Sequence, residues 1–191
     1  MALFERPLLA EVWLNSTVPY PPTQSMREQE LYSAALRALM RRAHSVHEMK
    51  EYLARRAENR EAVARVIARL REQNYLDDEK FALAYTRRHA ESRRQGRFRI
   101  ERELRARGVP DRHIAAALDT VFRETDEAAL VRGRLARQLA RATGPLNQRK
   151  IAALYRSLLR AGFSADVIRA ELRARASDVT EGEASADEGE D

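Results

Sequence analysis

From Met26 to Ala176 the apolar residues recur at helical spacing, and turn residues occur only between the periodic stretches. Laid over one another, these joints repeat. Met49, Leu53, Ala57, Val63 and Ile67 are spaced 4, 4, 6 and 4 residues apart. Ile100, Leu104, Gly108, Ile114 and Leu118 have the same spacing, as do Leu154, Leu158, Gly162, Ile168 and Leu172, at offsets of 51 and 54 residues. Two apolar residues four apart set one helix face. A glycine four residues on can take the left-handed conformation that closes a helix. Six residues later the next helix presents its own pair, facing back. Ala57 stands in the glycine position of the first copy, so its turn is expected to be of another type.

Capping signals fit this scheme. Ser45 with Glu48 reads as a capping box, Pro110-Asp111 opens a helix, and Ser164 caps another. Each pair is preceded by a further helix, at roughly 28–43, 78–95 and 126–142. The expectation is an all-α chain of nine helices in tandem three-helix repeats, with units at 26–76, 77–123 and 124–176. Residues 1–25 have no sustained period and close on Pro19, Pro21 and Pro22, so they read as a disordered extension. Met26, where the period begins, reads as an alternative start.

Charge changes the picture. Arg outnumbers Lys by 32 to 3, a ratio that base composition of the gene can produce, and the net charge is +6. Residues 177–191 hold seven acids and no base, and 1–25 carry −1, which leaves +14 on 26–176. The tail, poor in apolar residues, is expected to be disordered. A strongly basic body points to an anionic partner, usually nucleic acid or a complex containing it. There is no cysteine, hence no disulfide scaffold and no thiolate metal site. No apolar run approaches a membrane span, and the N-terminus lacks the pattern of a secretory signal; the expected location is cytoplasmic.

The charge concentrates in one stretch, Asn74 to Val109. Tyr75-Leu76 is apolar, Asp77 can cap, and Asp78 and Glu79 place negative charge beside unpaired N–H groups. Phe81 and Tyr85 form one apolar stripe. From Thr86 to Arg97 there is no large apolar residue, while Arg87, Arg88, Arg93, Arg94 and Arg97 accumulate before Gly96 and after it. On a second helix, 98–107, Ile100 and Leu104 share a face, and Arg99, Arg102 and Arg105 lie opposite with Phe98 beside them. Arg87 and Arg94, seven apart, would align away from Phe81 and Tyr85. These arginines suit a surface that binds phosphate or acidic protein. They also suit a solvated face relieved by Glu91, Glu101 and Glu103. Phe98 is placed to stack on a base or to pack at a helix start.

Catalysis fails on inventory. The histidines are His44, His47, His89 and His113, with no third ligand at metal spacing near the first two. There is no phosphate loop, GxSxG or HExxH element, and Asp77-Asp78 is explained by capping. No catalytic residue, metal site or cofactor is expected.

Tyr75-Leu76-Asp77-Asp78, Phe81-Ala82, Tyr85, Gly96, Arg99-Ile100, Glu103-Leu104 and Gly108-Val109 resemble the signature of the RecX family, bacterial regulators of RecA. Ala35-Leu36, Leu39, Arg42, Ser45, Glu48-Met49 and Leu53 are similar to it too, so the resemblance covers roughly 28–176. It implies tandem three-helix repeats in an elongated, curved molecule. It further implies a protein without cofactor that binds the RecA–DNA filament; a monomer that binds single- or double-stranded DNA weakly and with salt dependence is expected beside it. Such a protein lowers RecA ATPase, strand-exchange and coprotease activity, and so acts on recombination, DNA repair and the SOS response. The residues alone leave two other classes open, a basic helical DNA-binding module acting without RecA and a helical adaptor. Two positions depart from the family pattern, Asn74 and Ala57, where glycine is more usual.

Overall fold

A computed structural model describes residues 27–141 and 147–175; the expected extension at 1–25 and the acidic tail at 177–191 lie outside them. The described residues form nine helices and no strand. In chain order they are α1 (Glu28–Arg41), α2 (Val46–Ala54), α3 (Arg60–Glu72), α4 (Asp78–Glu91), α5 (Arg97–Ala106), α6 (Asp111–Glu124), α7 (Glu127–Leu139), α8 (Gln148–Arg160) and α9 (165–175). α1, α4 and α7 stop short of the ends expected from periodicity, at 41, 91 and 139 rather than 43, 95 and 142. A helical period reports which face is buried; it does not report where the chain turns.

Each group of three helices has its own core. Leu31, Met49, Leu53, Val66 and Leu70 centre the first, Ile100, Leu104, Ile114 and Leu118 the second, and Leu158, Phe163, Ile168 and Leu172 the third. The repeated positions supply these centres because residues four apart on one helix meet a second pair across a short corner. Caps fix where the helices begin. The Ser45 hydroxyl accepts from the Glu48 N–H at 3.0 Å, while Glu48 accepts from the Ser45 N–H. Asp77, Asp126 and Asn147 cap α4, α7 and α8 through their side-chain oxygens.

Gly108 and Gly162 have φ of +68° and +89°, and Asn74 has +60°. All three follow a helix and close it in the same way. The next residue's N–H (Val109, Phe163, Tyr75) donates to the carbonyl five residues back, at Leu104, Leu158 and Leu70. Asn is the side chain that tolerates this conformation next best to glycine, so the departure at Asn74 leaves the turn intact. Ala57 has no positive φ, and its N–H donates to Leu53, four residues back. That corner is closed differently, as expected.

The repeats join through one recurring contact. At the first joint the Ser45 hydroxyl at the start of α2 donates to the Arg107 carbonyl at the end of α5, at 2.6 Å. At the second, the Gly96 N–H at the start of α5 donates to the Ala161 carbonyl at the end of α8, at 2.8 Å. Positions 45 and 96 are equivalent in the repeat, and so are 107 and 161. The glycine that ends each helix lies against the neighbouring repeat. A Cβ on Gly108 would fall 2.3 Å from the His47 ring, and one on Gly162 would fall 2.3 Å from the Arg99 backbone nitrogen. α8, α5 and α2 therefore follow one another end to end, the carbonyl end of one against the N–H end of the next.

Candidate partner-binding surface

The nine expected contact residues fall into three environments. Arg87, Arg88, Arg93 and Arg102 are exposed, and none of the four is paired with a carboxylate among the described residues. Phe98 is exposed as well, at 56%, with its backbone N–H donating to the Gly162 carbonyl. Three arginines are held in surface ion pairs: Arg97 with Asp119 at 2.7 Å, Arg99 with Glu103 at 2.8 Å, and Arg105 with Glu101 at 2.8 Å and Asp111 at 2.9 Å.

Arg94 departs from the expected alignment. α4 ends at Glu91, so Arg94 shares no helical face with Arg87. It lies in the turn before α5 with φ +47°, and its carbonyl accepts from the Arg134 guanidinium at 3.4 Å. Its own guanidinium passes 2.7 Å from where a Cβ on Gly133 would stand. Arg94 belongs to the joint with the third repeat. Arg99, whose main chain presses on Gly162, belongs there too. Gly96, read as a helix breaker, is also a joint residue: a Cβ there would lie 2.3 Å from the Gly162 carbonyl group.

The signature residues are structural. Leu76 completes the first core, Asp77 caps α4, and Asp78 accepts from the Val46 N–H at 2.9 Å, tying the second repeat to the first. Phe81, Ile100 and Leu104 lie in the second core, whereas Tyr75 is exposed. Tyr85 packs against that core at its edge.

A groove of about 600 Å³ runs along the seam between the first and second repeats. Arg88 and Arg93 reach it from α4 and the turn beyond, Arg42 from the end of α1, and Arg107 from the end of α5. Its floor is aromatic. The Tyr85 and His89 rings stack at 3.9 Å, and the Arg107 guanidinium lies 5.0 Å over Tyr85. The Tyr85 hydroxyl donates to Glu103 at 2.7 Å, and His89 Nδ1 is bonded to Gln95 Oε1 at 2.7 Å. Burial keeps the His89 pKa below its ordinary value, with Arg93 and Arg107 adding to that effect against Gln95 and Glu103. Burial pushes Glu48 up, but bonds to Arg42 and Ser45 and the charge of Arg107 bring its carboxyl below the usual range. Glu48 thus neutralises part of Arg42 and Arg107, while Arg88 and Arg93 stay uncompensated at the rim.

Arg42 and Arg107 were not among the contact residues expected from sequence, Arg42 being noted there only as part of the family pattern. They come from different repeats, and neither local spacing nor charge density brings them together. Among the described residues no group of three or more His, Asp or Glu could hold a metal ion, and no helix is long and apolar enough to cross a membrane.

Three-helix units in tandem, with separate cores and a basic inter-repeat seam, define a helical-repeat protein. Residues 32–70 match the family model described as RecX, first three-helix domain, and 77–118 that of RecX, second three-helix domain. The chain is 36% identical over 150 residues to Regulatory protein RecX of Halorhodospira halophila, covering 78% of this chain and 90% of that protein. It is 35% identical over 144 residues to the protein of that name from Bacillus subtilis, covering 74% of this chain but 53% of that one. The chain therefore spans nearly all of one such relative and about half of another. The crystal structure of RecX from Lactobacillus salivarius has the same fold, with a TM-score of 0.63 at 22% identity over 77% of this chain and 95% of that one. The chain belongs to the RecX family of regulatory proteins.

Proposed function

We propose that this protein is a non-enzymatic regulator that binds the RecA–DNA filament and lowers its ATPase, strand-exchange and coprotease activities. Through these it acts on recombination, DNA repair and the SOS response. It works in the cytoplasm, as a monomer, without cofactor or metal. The observation that carries the reading is the basic seam: two uncompensated arginines, Arg88 and Arg93, at the rim of a groove also reached by Arg42 and Arg107. Arg87 and Arg102 extend the free positive charge outside it. Such a surface suits a shallow groove lined by phosphate and acidic side chains, and its aromatic floor adds stacking area.

The test is RecA ATPase on single-stranded DNA, titrated with wild type and with Arg88→Glu/Arg93→Glu at two salt concentrations. The variant should keep its circular dichroism spectrum and lose inhibition. Each phosphate contact removed should flatten the salt dependence of binding by roughly 0.7–0.9 log–log units. If the arginines meet acids of RecA, filament affinity falls while binding to naked DNA is unchanged. Full inhibition by the folded variant at wild-type dose overturns the assignment of this surface. The net +14 on 26–176 favours a second reading, a DNA-binding module acting without RecA; such a protein would inhibit only by competing for DNA at high dose.

A further inference from the structure

The second joint gathers positive charge that no carboxylate answers. Arg134 of α7 is half-buried there, and the one hydrogen bond of its guanidinium is the long one to the Arg94 carbonyl. Its Nε is buried and meets no acceptor. Burial lowers the Arg134 pKa, and the charges of Arg137 and Arg99 lower it further. Arg99 has Glu103 as its partner, but Arg94 and Arg137 have no carboxylate. The Arg94 guanidinium passes close to Gly133, and Arg137 Nε donates to the Gly133 carbonyl at 3.2 Å. Arg93, exposed and unpaired, precedes Arg94 in the chain. A half-buried guanidinium without a counter-charge is held at a cost that an incoming anion would relieve.

The sequence holds the complementary charge, and the fold sets where it starts. Ala174, near the end of α9, shares a groove of about 360 Å³ with Gly133 and Ala136 of α7. Glu171, the acid of that groove, is taken by Arg132 at 2.8 Å. α9 therefore ends beside the glycine at which Arg94 and Arg137 meet. Residues 176–191 follow, with seven acids and no base, the first of the acids at Asp178. Fully extended they reach up to about 50 Å, so chain length does not limit access to the joint.

We infer that residues 177–191 dock on the arginines of the second joint, Arg94, Arg134 and Arg137, and on Arg93 at the rim of the basic seam, where their carboxylates take the place of an outside anion. A tethered segment competes at an effective concentration of about 1 mM, so a dissociation constant of about 0.1 mM already weakens a rival anion roughly tenfold. The effect is selective. A partner that offers phosphate charge alone meets the competition in full. One that also contacts the protein elsewhere displaces the segment with that added free energy. The docking concerns this chain alone; only its effect on partner binding rests on the proposed function.

The chain has no cysteine, so Ser185→Cys gives the full chain a single site for a nitroxide label. In nuclear magnetic resonance spectra the label should broaden the amides of 93–96 and 133–138 most, and the broadening should fade by about 0.5 M salt. Arg134→Gln/Arg137→Gln should remove it while the helical spectrum stays unchanged. Arg93→Gln/Arg137→Gln, at two exposed positions, serves should that pair fail to fold. Broadening that is absent, evenly spread or unmoved by these variants overturns the inference. So does equal broadening of a second, isotope-labelled copy by the nitroxide of the first, which would make the contact intermolecular. The competition is read with a single-stranded oligonucleotide as probe. Changing the seven acids to their amides should tighten its binding roughly tenfold at about 20 mM salt and less than about twofold at about 0.5 M. Equal affinity at low salt overturns the competition. Neither measurement contains RecA, so each fails or succeeds independently of the RecA ATPase titration.

Discussion

Replacing Gly162 with alanine should uncouple the third repeat from the second. Alanine at φ +89° pays the left-handed penalty, about 1–2 kcal/mol. Its Cβ would also lie 2.3 Å from the Arg99 nitrogen and 2.4 Å from the Arg99 Cβ. These atoms are main chain or fixed to it, so the joint must open. Opening takes the acceptors from the Gly96 and Phe98 N–H groups, which donate to Ala161 and Gly162 at 2.8 and 3.0 Å. Each buried donor left unpaired costs about 1–3 kcal/mol. The whole effect is roughly 3–8 kcal/mol, or a fall in melting temperature of roughly 6–32 °C. Because a repeat array is stabilised by its units plus their interfaces, the loss should appear as a separate, earlier transition, with amide protection in α8 and α9 lost first. Gly133→Ala is the control. It lies inside α7, and its Cβ would meet only the far end of the Arg94 side chain. There alanine gains up to about 1 kcal/mol of helix propensity. Circular dichroism melting and hydrogen exchange read both variants. A Gly162→Ala protein melting like wild type, or one more stable than Gly133→Ala, would refute the joint as described.

Further outcomes are expected from the cores, the caps and the groove. Leu104→Ala and Leu158→Ala, each at a fully buried position, should cost about 2–5 kcal/mol in denaturant unfolding. Ser45→Ala should cost more than Asn147→Ala, which removes only a cap worth about 0.5–2 kcal/mol, because it also strips the Arg107 carbonyl of its donor across the first joint. Ala57→Gly should destabilise by no more than about 1 kcal/mol, since nothing at that turn needs a left-handed residue. His89 has a folded pKa below its unfolded value, so its contribution is complete above that value, near 6.5, and is lost as pH falls through it. Melting temperature should drop between about pH 7.5 and 5.5, and His89→Gln should flatten the drop, leaving the share of His44, whose pKa burial also lowers. An identical profile in the variant would assign the drop elsewhere.

The corners of this fold could be read from the sequence because their causes are local. A pair of apolar residues four apart, a glycine in the left-handed position, and a second pair six residues on need no distant partner. The surface was less legible because its causes are not local. Arg94 looks like a continuation of α4 until the chain turns at 92–95, where a third-repeat side chain meets the Arg94 carbonyl. Arg97 and Arg105 look free until α6 brings Asp119 and Asp111 beside them. Arg42 and Arg107 lie 65 positions apart in the chain and converge only when the repeats stack. Side chains whose neighbours come from another repeat carry no signal in their own spacing.

The end-to-end order of α8, α5 and α2 has a consequence for how such a chain can lengthen. What one unit requires of the next is small: a carbonyl at the end of its middle helix, and a glycine after it with no side chain in the way. The donor side is equally undemanding, since a serine hydroxyl serves at one joint and a backbone N–H at the other. Each core is completed within its own three helices, so a duplicated unit brings its own hydrophobic filling. It docks on its predecessor without any compensating change there, provided the glycine comes with it. Growth by tandem duplication is then a one-residue problem.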